Sequence, residues 1–296
     1  MVFARGGHDV LLWDQDEAQV RKALDHIATT LPLMAAEGLI ENPGAVTARI
    51  RGAPSLAAAL DGVGFVQENI VERAEPKQRL FAEVEGLAPR GAILSSSTSA
   101  IMPSIIFGGL ASRERCLVSH PLNPPHLAPI VELCGADFTA ADVIERARVF
   151  MAGCAMSPIT VKREIEGFIL NRLQLAVLNE AFRLIAEGYV SAEDLDKTVK
   201  DGLALRWSFM GPIETIDLNA PAGVADYLMR YGPTIRRVGE SQSAAAPWPD
   251  TIAQTLDTEM RAAVPAGKLP AATEWRDKRL MALAAHKREQ EKKTGR

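Results

Sequence analysis

The segment Ser119-His120-Pro121-Leu122-Asn123-Pro124-Pro125 holds the residue types best suited to proton chemistry. Pro121 after His120 and Pro124-Pro125 after Asn123 restrict the backbone and hold both side chains where an apolar run ends. Twelve residues beyond the histidine, Glu132 interrupts the apolar stretch Val131-Glu132-Leu133. An unpaired carboxylate on such a stretch is costly, and a histidine partner resolves the cost. A His–Glu pair orients the imidazole and raises its basicity, which suits removal of a proton from a hydroxyl. The competing reading is a satisfied core histidine beside a solvent-facing glutamate.

The elements that must position these residues can be read along the chain. Val2-Phe3-Ala4 reads as the end of a helix stopped at Gly6-Gly7, and Val10 to Trp13 as a buried strand ending in Asp14. Helical spacing of apolar residues runs from Glu17 to Gly38, and a second short helix runs from Asn42-Pro43-Gly44 towards Arg51. Strands are expected at Gly62 to Val66, Ala92 to Leu94, Cys116 to Val118, Pro129 to Leu133 and Ser157 to Val161. The first of these leads to Glu68 and Glu72, the second to Ser97-Thr98-Ser99, the third to His120. Strands alternating with helices of this length predict an α/β layer with a mostly parallel sheet, and ligands sit beyond the carboxyl ends of such strands. A strand ending in an acid is also half of a dinucleotide-binding unit, in which Asp14 holds the adenosine ribose of NAD. The alternative for Asp14 is a helix N-cap.

Beyond Lys162 the pattern turns helical. One long helix runs from Glu166 to Glu187, the next starts at Ser191-Ala192-Glu193-Asp194 and stops near Gly202, and Pro212, Pro221 and Pro233 separate shorter ones. Helical patterns return at Thr251 and Ala271, and Lys287 to Arg296 reads as a solvated charged tail. The boundary is placed at 162: a sheet domain over 1–162, then a helical substrate and dimerisation domain over 163–296.

Composition narrows the function. The chain has 296 residues with 33 basic and 37 acidic side chains, a net charge of −4, which argues against a nucleic-acid footprint. No apolar run reaches the roughly 18 residues of a membrane span. The 3 cysteines, Cys116, Cys134 and Cys154, show no C-x-x-C spacing, so neither a disulfide framework nor a zinc site is expected, and a reducing cytoplasm is.

Taken together, Ser95-Ser96-Ser97-Thr98-Ser99, His120-Pro121-Leu122-Asn123-Pro124-Pro125, Val131-Glu132-Leu133-Cys134 and Gly167-Phe168-Ile169-Leu170-Asn171-Arg172 resemble the L-3-hydroxyacyl-CoA dehydrogenase superfamily. The resemblance covers essentially the whole chain. With Arg206-Trp207-Ser208-Phe209-Met210-Gly211-Pro212 and Glu274-Trp275-Arg276-Asp277, it looks closest to the lambda-crystallin, or L-gulonate 3-dehydrogenase, branch. It implies a Rossmann-type domain followed by a helical one, NAD as cofactor and a homodimer formed through the helical domain. It implies His120 as the base and Glu132 as its orienting partner. Ser99, Asn123 and Asn171 are then hydrogen-bonding partners of the substrate's reacting oxygen, and Asp14, Glu72 and Lys77 lie at the cofactor. A solvated helix face is the competing reading for Glu72 and Lys77.

The family begins with a strand, a glycine turn and the first half of a helix that this sequence does not contain. The resemblance thus implies an interrupted sheet ladder and weak or absent NAD binding by the chain as it stands, whether Met1 is an internal methionine or the chain is a fragment. Residues 14–51 hold Arg21, Lys22, Arg49 and Arg51 against Asp14, Asp16, Glu17, Asp25, Glu37 and Glu41. That acidic balance attracts a multiply charged CoA weakly, so a small hydroxy acid such as L-gulonate is expected over an acyl-CoA. A non-enzymatic, crystallin-like structural role is the reading of another class. It leaves a base at a strand mouth without a purpose.

Overall fold

The computed structural model describes residues 1–244 and 247–295 and divides into two compact units, 1–172 with 277–296 and 173–276. In chain order the first unit opens with α1 (Val2–Arg5), β1 (Val10–Leu12), α2 (Glu17–Ala36), α3 (Pro43–Thr47), β2 (Ile50–Gly52) and α4 (Leu56–Leu60). It continues with β3 (Phe65–Glu68), α5 (Ala74–Leu87), β4 (Ile93–Ser96), α6 (Pro103–Phe107) and β5 (Cys116–Pro121). Then come β6 (Ile130–Cys134), α7 (Ala141–Gly153) and β7 (Ser157–Val161). Helix α8 (Leu170–Ala186) leads into the second unit, which holds α9 (Ala192–Lys197), α10 (Ala204–Trp207), α11 (Pro212–Leu218), α12 (Gly223–Ala244) and α13 (Ile252–Ala263). Helix α14 (Leu269–Thr294) ends in the first unit.

The strands fall into a parallel pair, β1-β2, and a five-stranded sheet in the order β3-β4-β5-β6-β7. All pairs in the larger sheet are parallel except β5 with β6. Side chains alternate across a strand, so each buried strand feeds two cores. Leu94, Cys116 and Val118 pack with Phe81 and Val84 of α5 and with Phe107 of α6. Ile93, Leu117 and Leu133 pack on the opposite face with Val143, Ala147 and Met151 of α7. Ile27, Leu31 and Met34 of α2 gather with Ile50 and Met281 in a third core.

Four local readings are corrected. Residues 50–52 are a strand, not a helix: β2 pairs in register with β1, and three residues are too few to show a period. Pro233 lies inside α12, where apolar residues at 224, 228, 231, 235 and 238 keep helical spacing across it. The helix from Ser191 does not stop at Gly202 but passes through a π turn, Thr198–Leu203, into α10. The charged tail is helical, and Arg288 donates to the Leu39 carbonyl at 2.8 Å.

Phe81 is fully buried beneath the sheet and meets Phe107 edge to face, with ring centroids 4.7 Å apart. Phe81→Ala is expected to destabilise the first unit by about 3–5 kcal/mol, measured by urea unfolding. A loss below about 1 kcal/mol contradicts this packing.

Candidate active site

Strand register assembles the site. Glu68 pairs with Ser96, Ser96 with Val118, and alternation along β5 returns His120 to the face of Val118. The chain then reverses, and the antiparallel register sets His120 directly opposite Glu132. Directly opposed residues share a sheet face with their Cβ atoms about 4.5–5.5 Å apart. The dyad read from spacing is therefore a cross-strand pair, with His120 Nδ1 2.8 Å from Glu132 Oε2 and both residues buried.

The second Glu132 oxygen accepts the amides of Ile169 and Leu170, each at 2.9 Å, where α8 begins. Backbone shape makes this reach possible. Gly167 and Phe168 have φ of 74° and 48°, and the two left-handed residues turn the chain so that the next two amides face Glu132. Phe168 is fully buried, with its ring centroid 5.6 Å from that of His120. Burial pushes the Glu132 carboxyl up, but the His120 hydrogen bond and the Leu170 and Ile169 amides outweigh it and hold the group below its usual range. An ionised Glu132 only accepts, so Nδ1 carries the proton and Nε2 presents a lone pair. Among the described residues Nε2 has no partner, which leaves it free to take a hydroxyl proton.

The remaining expected residues are placed as follows. Asn171 is half-buried, and its Nδ2 donates to the Ser99 carbonyl at 2.7 Å. The Ser99 amide donates to Glu72 Oε1 at 2.8 Å, and the Ser99 hydroxyl has no partner among the described residues. Asn123 is exposed, and its side chain makes no hydrogen bond among them. Glu72 lies before α5, not on it, and also accepts from Thr98 Oγ1 and the Ala100 amide. Burial raises the Glu72 carboxyl, while Thr98, the Ser99 amide and the Lys77 ammonium bring it below the usual value. Lys77 is no solvated helix residue: it is fully buried, with Nζ 2.8 Å from Glu68 Oε1 and 3.5 Å from Glu72 Oε2.

Asp14 is not the helix cap. That role falls to Asp16, which accepts from the Ala18 amide, while Asp14 Oδ1 takes the Asp16 amide. Asp14 Oδ2 has no partner among the described residues and stands half-buried just past the carboxyl end of β1, a fit for the ribose hydroxyls of NAD.

Two residues were not singled out by spacing. Ser96 donates to Glu68 Oε2, and Lys77 shares the buried stripe 77, 81, 84 of α5. A lysine on an apolar stripe, one turn from phenylalanine and two from valine, is itself a signal of a buried acid. The three thiols are free and buried, and burial pushes Cys116 and Cys134 up to about 12 and Cys154 to about 11, so none is a nucleophile at neutral pH. Among the described residues no group of His, Cys, Asp and Glu is arranged to hold a metal ion, and no helix is long and apolar enough to cross a membrane.

A parallel-sheet layer with an acid just past the carboxyl end of β1 and a histidine–carboxylate pair at a strand mouth is compatible with a family of NAD-dependent oxidoreductases acting on CH–OH groups. Residues 1–165 match the NAD-binding domain of 3-hydroxyacyl-CoA dehydrogenase, and residues 167–265 match its C-terminal domain. The chain belongs to the 3-hydroxyacyl-CoA dehydrogenase family. It is 37% identical over 289 residues to the lambda-crystallin homolog of Homo sapiens, covering 96% of this chain and 90% of that protein. It is 33% identical over 251 residues to the L-carnitine dehydrogenase of Burkholderia mallei, covering 84% and 75%. The solved structure of 5-formyl-3-hydroxy-2-methylpyridine 4-carboxylic acid 5-dehydrogenase superposes with a TM-score of 0.83 at 23% identity, over 95% of this chain and 91% of that one, a likeness of fold.

Glu132 has a folded value below its unfolded one, about 4.3. Its contribution to stability is present above the unfolded value and is lost as pH falls through the folded value. The stability gap between the parent and Glu132→Gln, read by urea unfolding, is expected to shrink as pH falls below about 4. A gap that does not shrink there contradicts an ionised, paired Glu132.

Proposed function

We propose that this chain catalyses NAD-dependent oxidation of a secondary 3-hydroxyl on a small hydroxy acid of the L-gulonate kind. The observation that carries the chemistry is the His120–Glu132 pair with Nε2 open. His120 Nε2 takes the hydroxyl proton, and Glu132 holds the ring in the required tautomer and stabilises the imidazolium that forms. Ser99, Asn123 and Asn171 hydrogen-bond the oxygen as it becomes a carbonyl. Asp14 and Glu72 hold the dinucleotide, with Lys77 behind Glu72. NAD, when bound, supplies the hydride acceptor.

The substrate class rests on charge. The helical hairpin region after Asp14 carries more acid than base, which suits a single small carboxylate better than the phosphates of CoA. In this reading residues 1–162 serve the cofactor and 163–296 serve substrate and dimerisation, a division by role that differs from the compact units, where 163–172 and 277–296 group with the sheet. The homodimer is supported by α12, where Leu228, Tyr231, Ile235 and Val238 are each about half exposed at helical spacing. A stripe of that kind is too large to leave to water. The free thiols support a reducing cytoplasmic setting.

His120→Gln is expected to lower turnover by about 10²–10⁴-fold with NADH affinity, from fluorescence titration, unchanged. Unchanged turnover removes His120 from the chemistry. L-gulonate is expected to be oxidised faster than L-carnitine and 3-hydroxybutyryl-CoA in a direct comparison of kcat/KM, and a preference for the CoA ester reverses the substrate ranking. Sedimentation is expected to show twice the mass of one chain, falling to one for Ile235→Glu. A parent that sediments as a monomer removes the dimer.

A further inference from the structure

A second buried ionic group lies on the same sheet face as His120. Lys77 Nζ is 2.8 and 3.0 Å from the two Glu68 oxygens, 3.3 Å from the Ile70 carbonyl and 3.5 Å from Glu72 Oε2. An ammonium has three protons to donate, and these acceptors leave none for a ligand. Glu68 is held from two more sides, by the Ile70 amide and the Ser96 hydroxyl.

Glu72 turns this group outward. Its Oε1 accepts from Thr98 Oγ1, the Ser99 amide and the Ala100 amide, at 2.5, 2.8 and 3.2 Å. Residues 97–100 belong to no helix or strand, so their amides depend on an acceptor of this sort. The Ser99 carbonyl then receives Asn171 Nδ2. An ion pair to Glu72 and hydrogen bonds through Ser99 thus connect the buried Lys77 to Asn171.

Physical cost makes the arrangement informative. Lys77 occupies a position on α5 continuous with Phe81 and Val84, where an apolar side chain avoids the desolvation of two charges. A buried ion pair of this kind adds little stability over a hydrophobic replacement, so its effect must be sought in what it holds in place. We propose that Glu68 and Lys77 are positioning residues. The pair fixes the turn from Glu68 to Glu72 and, through Glu72, the backbone at 98–100 that presents Ser99 and anchors Asn171. This rests on the reading of Ser99 and Asn171 as partners of the substrate oxygen. It also moves Lys77 from a cofactor contact to a residue acting through Glu72.

The test is the double substitution Glu68→Gln with Lys77→Met, which removes both charges and leaves no orphan ion. Amide hydrogen exchange at Ser99 and Ala100 is expected to accelerate by about tenfold or more, with Leu117 and Val118 of β5 unaffected. kcat at saturating NADH is expected to fall by about 10–100-fold, alongside a rise in the Kd for NADH from the loosened Glu72. Unchanged exchange at 99 and 100 overturns the proposal. Faster exchange with unchanged kcat supports the anchoring of the loop and overturns instead the substrate roles of Ser99 and Asn171, for which Ser99→Ala and Asn171→Ala are the controls. Should the double variant fail to fold, Lys77→Met alone, which leaves Glu68 the Ile70 amide and the Ser96 hydroxyl, gives the same exchange readout.

Discussion

The first unit depends on how one carboxylate, Glu132, satisfies its lone pairs without water. One oxygen takes the imidazole of the facing strand, and the other takes the first amides of α8. The same atoms that remove the burial penalty therefore tie β5, β6 and the start of α8 into one rigid corner. The helix N-terminus favours the negative charge, and the negative charge fixes the histidine tautomer. Electrostatic stabilisation of the fold and orientation of the base are one interaction here. The two left-handed residues before α8 are its backbone cost, set against three hydrogen bonds to an ionised group.

Glu68 repeats the arrangement three strands away, on β3. Both acids are buried on strands, both face the side of the sheet that carries α5, and both take a nitrogen cation or ring as partner. The two differ in what they deliver. Glu132 ends on a ring whose far nitrogen is open, whereas Glu68 ends on an ammonium with no proton to spare, so its influence passes on only through Glu72. Read as a pair, they hold the His120 side and the Ser99 side of the strand mouth from beneath. The polar rim then rests on buried charge instead of on flexible loops.

Much of this was legible in the residues. The dyad followed from the cost of an unpaired acid, and the antiparallel turn supplied what spacing cannot: the direct opposition of 120 and 132. Strands leading to 68, 97–99 and 120 followed from apolar runs meeting polar ones, although β3, β4 and β5 themselves run on to Glu68, Ser96 and Pro121. Short elements were not legible, because a three-residue strand such as β2 has no period and is defined by its partner β1. Resemblance set Lys77 at the cofactor, but its burial was hidden, since a lysine after a proline reads as surface until the stripe 77, 81, 84 is set against the sheet. Pro233 misled for the opposite reason: the rule that proline interrupts a helix lost to a stripe of apolar residues continuing on both sides.

The parts of the site that the sheet fixes are also the parts that say least about substrate. His120, Glu132, Glu68 and Ser96 are set by register, and any chain with this sheet and these residues offers the same proton chemistry. Of the residues proposed to meet the substrate, Asn123 is the one that register holds least: exposed, without a side-chain hydrogen bond among the described residues, and carried on the loop between β5 and β6. A family that spans relatives at 37% and 33% identity bearing different names fits that division. The reaction is built into the buried layer, and specificity into side chains whose geometry only a ligand completes.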